Sequence, residues 1–211
     1  MKRSLGDIYI AGSRTPSEWM AFRAELSSSR EPAKWAEAFK DYFHTRLSLR
    51  YLDPIKVLQD NGSFQGEGFS ITAIQCSIVE FLESTVQGKS YRLLRKGAPP
   101  LGPHEYASSS EIFISFLVNR QPFKDDFDED RARDFYEGVR CGLLHEARTK
   151  NGCTIWAKSP THKTIDADNK IVFRDNFQAA LLHFVEWYKG ALSVEPALQA
   201  AFIRKFDSLC V

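Results

Sequence analysis

DEDRARDFYEGVRCGLLHEAR, running from Asp128 to Arg148, is the stretch that decides how this chain is read. It reads as a single amphipathic helix. Asp128 and Asp130 are candidate N-caps, acids fill the first turn and Arg148 sits near the last, an order that the helix dipole favours. Asn151-Gly152 is the expected stop. At about 100° per residue, Ala132, Phe135, Tyr136, Val139 and Leu143 fall on one side and form the expected buried stripe. Asp134, Glu137, Gly138, Arg140, Cys141, Leu144, His145 and Arg148 fall on the other, and that second face carries the candidate chemistry.

Outward from this stretch, helical periodicity dominates. Pro16 follows Thr15 as a first helical position, and Trp19, Phe22 and Leu26 share a side. A second helix is expected from Pro32 past Arg50, with Trp35, Phe39, Phe43 and Leu47 at steps of four, and Pro54 breaks or kinks it. Ile8, Tyr9 and Ile10 are a short strand or an extended arm. Residues 61–68 form a loop, residues 69–87 a strong helix ended by Gly88, and the Gly/Pro-rich run 97–103 a surface connection. Ser108–Ser110 caps a short helix over 111–118, for which a buried strand is the alternative. After the central helix, residues 153–158 and 171–173 read as two short strands of a small hairpin around the polar turn Asp166-Ala167-Asp168-Asn169. Residues 174–192 form a long helix, with Phe177, Leu181, Phe184 and Tyr188 at core spacing. A terminal helix follows Pro196. The expectation is a mainly α single domain of 211 residues. It consists of a helical extension over residues 1–60 and a bundle over 61–211, with the hairpin insert near 153–173.

With 43% hydrophobic and 26% charged residues, the composition is that of an ordinary globular protein. A formal charge of +1 announces no global field for nucleic acid. The charge is uneven, however. Residues 140–174 carry seven basic side chains against three acidic ones, and residues 61–130 carry six against ten. A solvated face is the ordinary reading of such an excess, and a local anion-binding surface is the functional one. Cys76, Cys141, Cys153 and Cys210 make no CxxC pair and no Cys/His set with zinc spacing, so buried free thiols in a reducing compartment are expected. Met1-Lys2-Arg3 leads into Asp7 rather than an apolar run, and no stretch approaches the length of a membrane span. A cytoplasmic protein with no membrane association is the expectation.

On the far face of the central stretch, FYEGVRCGLLHEAR resembles the signature of the HEPN domain family, an Arg and a His separated by a few residues near the end of a helix. The likeness extends loosely over the helices from about residue 69 to 192 and leaves the first 60 or so residues uncovered. The resemblance implies an α-helical bundle that dimerises through the Asp128–Arg148 helix. It also implies a metal-independent ribonuclease with no cofactor, of a kind that commonly serves as a toxin or defence effector restrained by an inhibitory protein partner. Arg140 and His145 would be the catalytic pair, with Glu137, Cys141, Arg148, Lys150 and Lys163 supporting the site or holding substrate. Nuclease members often carry Asn, Asp or His directly after the arginine. Here that residue is Cys141, whose thiol is a weak hydrogen-bond partner.

The residue types suit that chemistry. RNA brings its own nucleophile, the 2′-OH, and needs a proton acceptor, a proton donor and a counter-charge. Imidazole is the side chain that changes charge near neutral pH, and guanidinium offers a fixed fork of donors to a phosphate. The stripe Gly138, Cys141, Gly142 and His145 is small enough to let a second helix approach closely. Plainer readings stand beside these. Arg140 has Glu137 one turn away as a surface ion-pair partner, and His145 suits a helix C-terminus. Gly138 and Gly142 serve equally for packing within one chain, and His183 reads as a core or boundary residue. Trp156 and Lys163 could contact nucleic acid, although a hairpin that packs its Trp inward is the simpler arrangement. A non-catalytic module that binds RNA, a nucleotide or a protein through the same face is the competing function.

Overall fold

The computed structural model describes residues 8–28, 31–63 and 65–210. It is mainly helical, with short strands in two small sheets. The α-helices longer than one turn are α1 (Pro16–Ser28), α2 (Pro32–Ala38), α3 (Asp53–Asp60), α4 (Glu67–Gln87), α5 (Ser109–Asn119), α6 (Glu129–Phe135), α7 (Gly142–Glu146), α8 (Arg174–Leu192) and α9 (Pro196–Asp207), with further helical segments at Phe39–His44, Thr45–Leu47, Ser48–Leu52, Phe123–Asp125 and Tyr136–Cys141. The strands are β1 (Ser90–Tyr91), β2 (Glu105–Tyr106), β3 (Thr154–Trp156), β4 (Ile165–Asp166) and β5 (Ile171–Phe173). Among the described residues no helix is long and apolar enough to cross a membrane.

The chain packs as two compact units. One is drawn from Met1–Leu52, Ser84–Ala107 and Tyr188–Val211. Its core is aromatic. Trp19 meets Tyr42 edge-on at 4.9 Å and Phe206 at 5.4 Å, while Phe202 stacks on Phe206 at 4.5 Å. The Trp19 indole is satisfied by donating to Asp207 at 2.8 Å. Trp35, Phe39, Phe43 and Leu47 are all buried, although side chains at steps of four drift about 40° per step on an ideal helix. The π-type turn Phe39–His44 takes up that drift by widening the helix. Among the described residues Ile8 to Ile10 form no paired strand, and an isolated bridge joins Ala11 and Arg14 just beyond them. In the Gly/Pro-rich connection, Arg92 donates to Glu105 at 2.7 Å and to the carbonyls of Pro99 and Pro100. Gly88, at φ +63, ends α4 as its position suggests. A Cβ there would sit 2.6 Å from the Ala201 Cα, so this is also a point of close backbone approach.

The other unit comprises Asp53–Glu83 and Ser108–Trp187. A run of phenylalanines fills it. Phe135 stacks on Phe177 at 5.5 Å and on Phe113 at 5.9 Å, and Phe116 meets Phe184 at 4.8 Å. The segment over 111–118 is a helix, not a buried strand, with Ser108 accepting from the Glu111 N–H. Glu83 has a fully buried side chain and receives Arg120 through two hydrogen bonds, at 2.8 and 3.0 Å, together with the Ser115 hydroxyl.

The late β-element differs from a two-strand hairpin. β5 lies in the middle, antiparallel to β4 and parallel to β3. The connection between β3 and β5 is long enough to carry the chain back to the same end, which parallel pairing requires. Asp126 anchors this insert by accepting both the Thr164 N–H at 2.7 Å and the Thr164 hydroxyl at 2.6 Å.

Candidate functional site

The helix that carries the Arg/His pair has three parts. Asp128 caps it by accepting from the Arg131 N–H, α6 follows, and Tyr136–Cys141 widens into a π-type turn before α7. It ends at Ala147 in the left-handed region, short of Asn151-Gly152, so Arg148 lies beyond the last turn. The expected buried stripe is present. Ala132, Phe135, Val139 and Leu143 are buried and Tyr136 is half-buried.

Gly138 and Gly142 are buried too, against the chain itself. The segment that follows the helix folds back over them, and Lys150 donates its backbone N–H to the Gly138 carbonyl at 2.7 Å. A Cβ on Gly142 would lie 2.5 Å from the Arg148 carbonyl, and one on Gly138 would lie 2.9 Å from the Cys153 sulfur. Within the chain, the two glycines of the small-residue stripe therefore admit the return loop. Glu137, Leu144 and His145 remain exposed on the helix, with Cys141 half-buried.

Arg140 lies in the widened turn and is 17% exposed at its side chain. Its Nη2 is 3.6 Å from the Glu80 carboxylate on α4, and its guanidinium sits over the Tyr136 ring at 5.1 Å. Glu80 also accepts from the Ser109 hydroxyl at 2.9 Å. The partner is thus Glu80, not the neighbouring Glu137. Burial pushes the Tyr136 hydroxyl above its ordinary range, with Arg140 pulling the other way. On the same α4, burial pushes the Cys76 thiol up to about 12, again opposed by Arg140.

His145 sits in α7, exposed, and makes no hydrogen bond or ion pair among the described residues. Nothing links it directly to Arg140. The supporting cations gather on Glu146 instead. Arg148 bonds it at 2.9 Å and Lys150 pairs with it, and these two hold its carboxyl below the usual range, Lys150 the more strongly. Glu146, Arg148, Thr149, Lys150 and Asn151 line an open depression. Lys163 is elsewhere, on a separate depression of about 410 Å³ with Asp125, Asp126, Asp166 and Asp168. His183 is exposed on α8 rather than in the core. All four cysteines are free; Cys76 is buried and the other three are half-buried.

Sequence reasoning missed Glu80, whose place on a mostly buried helical face was the available signal. It also favoured an inward Trp156, and the indole points outward. The described residues bring together no group of three or more His, Cys, Asp or Glu side chains able to hold a metal ion. Compared with known proteins, the chain matches no family model, no curated protein and no solved structure.

Proposed function

We propose that this chain is an endoribonuclease of HEPN type that cleaves RNA without a metal ion, through a site composed at a homodimer interface along the Asp128–Arg148 helix. The observation that carries the reading is the exposed His145 imidazole, without a hydrogen bond or ion pair among the described residues and on the same helix as a guanidinium. In this chemistry the 2′-oxygen bonds to the adjacent phosphorus and the bond from phosphorus to the 5′-oxygen breaks. His145 accepts the 2′-hydroxyl proton, and the His145 of the second copy delivers one to the departing 5′-oxygen. The ends formed are a 2′,3′-cyclic phosphate and a 5′-OH. Arg140 stabilises the charge that accumulates on the phosphate, which requires its guanidinium to serve Glu80 and substrate together. Exposed Glu137, Leu144 and His145, with the edge of Cys141, form the contact with the second copy, because the glycines beside them are already covered. A role as a toxin or defence effector restrained by an inhibitory protein belongs to the same proposal.

The second reading is a non-catalytic module that binds RNA, a nucleotide or a protein through this face. The Arg140–Glu80 pair favours it, because an arginine held by a carboxylate already has a structural task.

The experiment is cleavage of a labelled single-stranded RNA in EDTA, comparing wild type with Arg140→Ala and His145→Ala at matched dimer content. Cleavage by the wild type that leaves cyclic-phosphate ends, and is lost in both variants, is the expected result. An inert wild type over varied RNAs moves the conclusion to the binding module. EDTA-sensitive cleavage that ignores both substitutions rules this mechanism out.

A further inference from the structure

β3 is an edge strand whose side chains alternate, Ile155 half-buried and Trp156 outward. Trp156 is 57% exposed, and Phe69, near the start of α4, is 42% exposed. Both line one depression of about 130 Å³, roughly the room of a single planar ring system. Neither ring stacks on another aromatic side chain among the described residues, and each residue leaves roughly half of its surface to solvent. The wall between them is low because Gly66 and Gly68 contribute no side chain, and a Cβ on Gly66 would meet nothing within 4 Å. Beside Gly68 lies the Arg174 guanidinium, which also lines the depression, buried and 3.4 Å from Glu67, the one acidic residue among the described lining residues. Lys158, two positions along the chain from Trp156 and outside the lining of the depression, is exposed and makes no ion pair among the described residues. Two half-exposed aromatic rings, a ring-sized gap and an unopposed cation suit a planar, electron-rich ring attached to an anionic backbone. That is the chemistry of a base in a single strand, where stacking supplies affinity and the phosphate meets the cation.

We propose that Trp156 and Phe69 form a stacking platform for an unpaired nucleobase of single-stranded RNA, with Lys158 beside its phosphate. This rests on the reading of the chain as a protein that acts on RNA, and it adds a subsite away from the Arg140 turn. A duplex, whose bases are already stacked, offers the platform nothing.

The test uses the full chain and a short fluorescent oligouridylate carrying 2′-O-methyl groups, which binds without being cleaved. Anisotropy gives the affinity, and indole quenching reports the contact. In wild type the oligomer is expected to bind and to quench. Trp156→Ala is expected to weaken binding by about 10- to 100-fold with the salt dependence unchanged, since stacking is lost and no phosphate contact is. Trp156→Phe keeps most of the affinity but abolishes the quench, and Trp187→Phe, which removes the other exposed indole, keeps both. An abasic oligomer of equal length binds wild type as weakly as the base-bearing one binds Trp156→Ala. Undiminished binding by Trp156→Ala and Phe69→Ala, each with an unchanged melting temperature, overturns the platform, as does a wild type that does not bind. Parallel cleavage of unmodified RNA separates the two ideas. Cleavage with Trp156-independent binding sinks the platform alone, and stacking without cleavage sinks the nuclease reading alone.

Discussion

The Arg140 guanidinium reaches out of a widened helical turn to within 3.6 Å of the Glu80 carboxylate on a different helix. The residue with the clearest resemblance to a catalytic arginine is therefore also a tie between two helices. Both side chains are mostly shielded, so their attraction is screened less than that of a surface pair. A double-mutant cycle with Arg140→Gln and Glu80→Gln, followed by urea unfolding, is expected to give a coupling of about 1 kcal/mol. A coupling near zero would show that the tie contributes nothing to folding and would leave Arg140 free for substrate.

Glu83 gives a larger effect. Its carboxylate is fully buried and accepts two hydrogen bonds from Arg120 and one from Ser115. Glu83→Ala is expected to cost about 2 kcal/mol, because it leaves the partly exposed Arg120 guanidinium and the Ser115 hydroxyl without their acceptor. Chemical denaturation measures this, and a loss below about 1 kcal/mol would contradict it.

The glycines separate by what surrounds them. Gly142→Ala places a methyl group 2.5 Å from the Arg148 carbonyl, where backbone must shift. A destabilisation of about 1–3 kcal/mol is expected, with faster proteolysis after Arg148 and Lys150. Gly190, within α8, has nothing within 4 Å of the added Cβ, so Gly190→Ala should stabilise by up to about 1 kcal/mol through helix propensity.

Glu105 supplies a pH signature. The Gly102 N–H, and after it Arg92, hold its carboxyl below the ordinary value of 4.5. A lowered folded value means that the unfolded chain binds the proton more readily. Its contribution is therefore present above the unfolded pKa and is lost as pH falls through the folded one. Glu105→Gln should loosen the Pro99–Pro100 connection at about pH 6, seen as faster trypsin cleavage near Arg95 and Lys96, while NMR titration of the Glu105 carboxyl in wild type should give a midpoint below that of a model peptide. An ordinary midpoint would refute the clamp.

Much of the helical architecture was legible because burial imposes a period. Residues 174–192, with Phe177, Leu181, Phe184 and Tyr188 turned inward, and the stop at Gly88 follow from spacing and backbone freedom alone. The widened turn at Tyr136–Cys141 was not legible, since a shift in which carbonyl an N–H chooses changes no residue type. Nor was the pairing of Arg140 with Glu80, which depends on how two helices distant in sequence meet. The apolar series Trp35, Phe39, Phe43 and Leu47 did carry a usable hint. Strict steps of four fit a helix wider than 3.6 residues per turn, and that is where the first π-type turn lies. Parallel β3–β5 pairing escaped because three-residue strands show no register preference, and the outward Trp156 escaped because strand alternation fixes sides only once one residue is known to be inside.

The hydrogen bond from the Lys150 amide to the Gly138 carbonyl works as a clasp. It closes a short loop of chain whose two ends carry Arg140 on one side and the sheet-bearing insert on the other. Within that loop, length is fixed, and an inserted or deleted residue between 142 and 150 would undo the clasp and uncover the glycines. Beyond Lys150 the chain is held again, by the pairing of β3 with β5 and by the Ser159 N–H donating to Asn176, before it reaches the Thr164 anchor on Asp126. New sequence can therefore be grafted only in the exposed turn at residues 160–163, altering what the insert offers to a ligand while the register of the helix stays put.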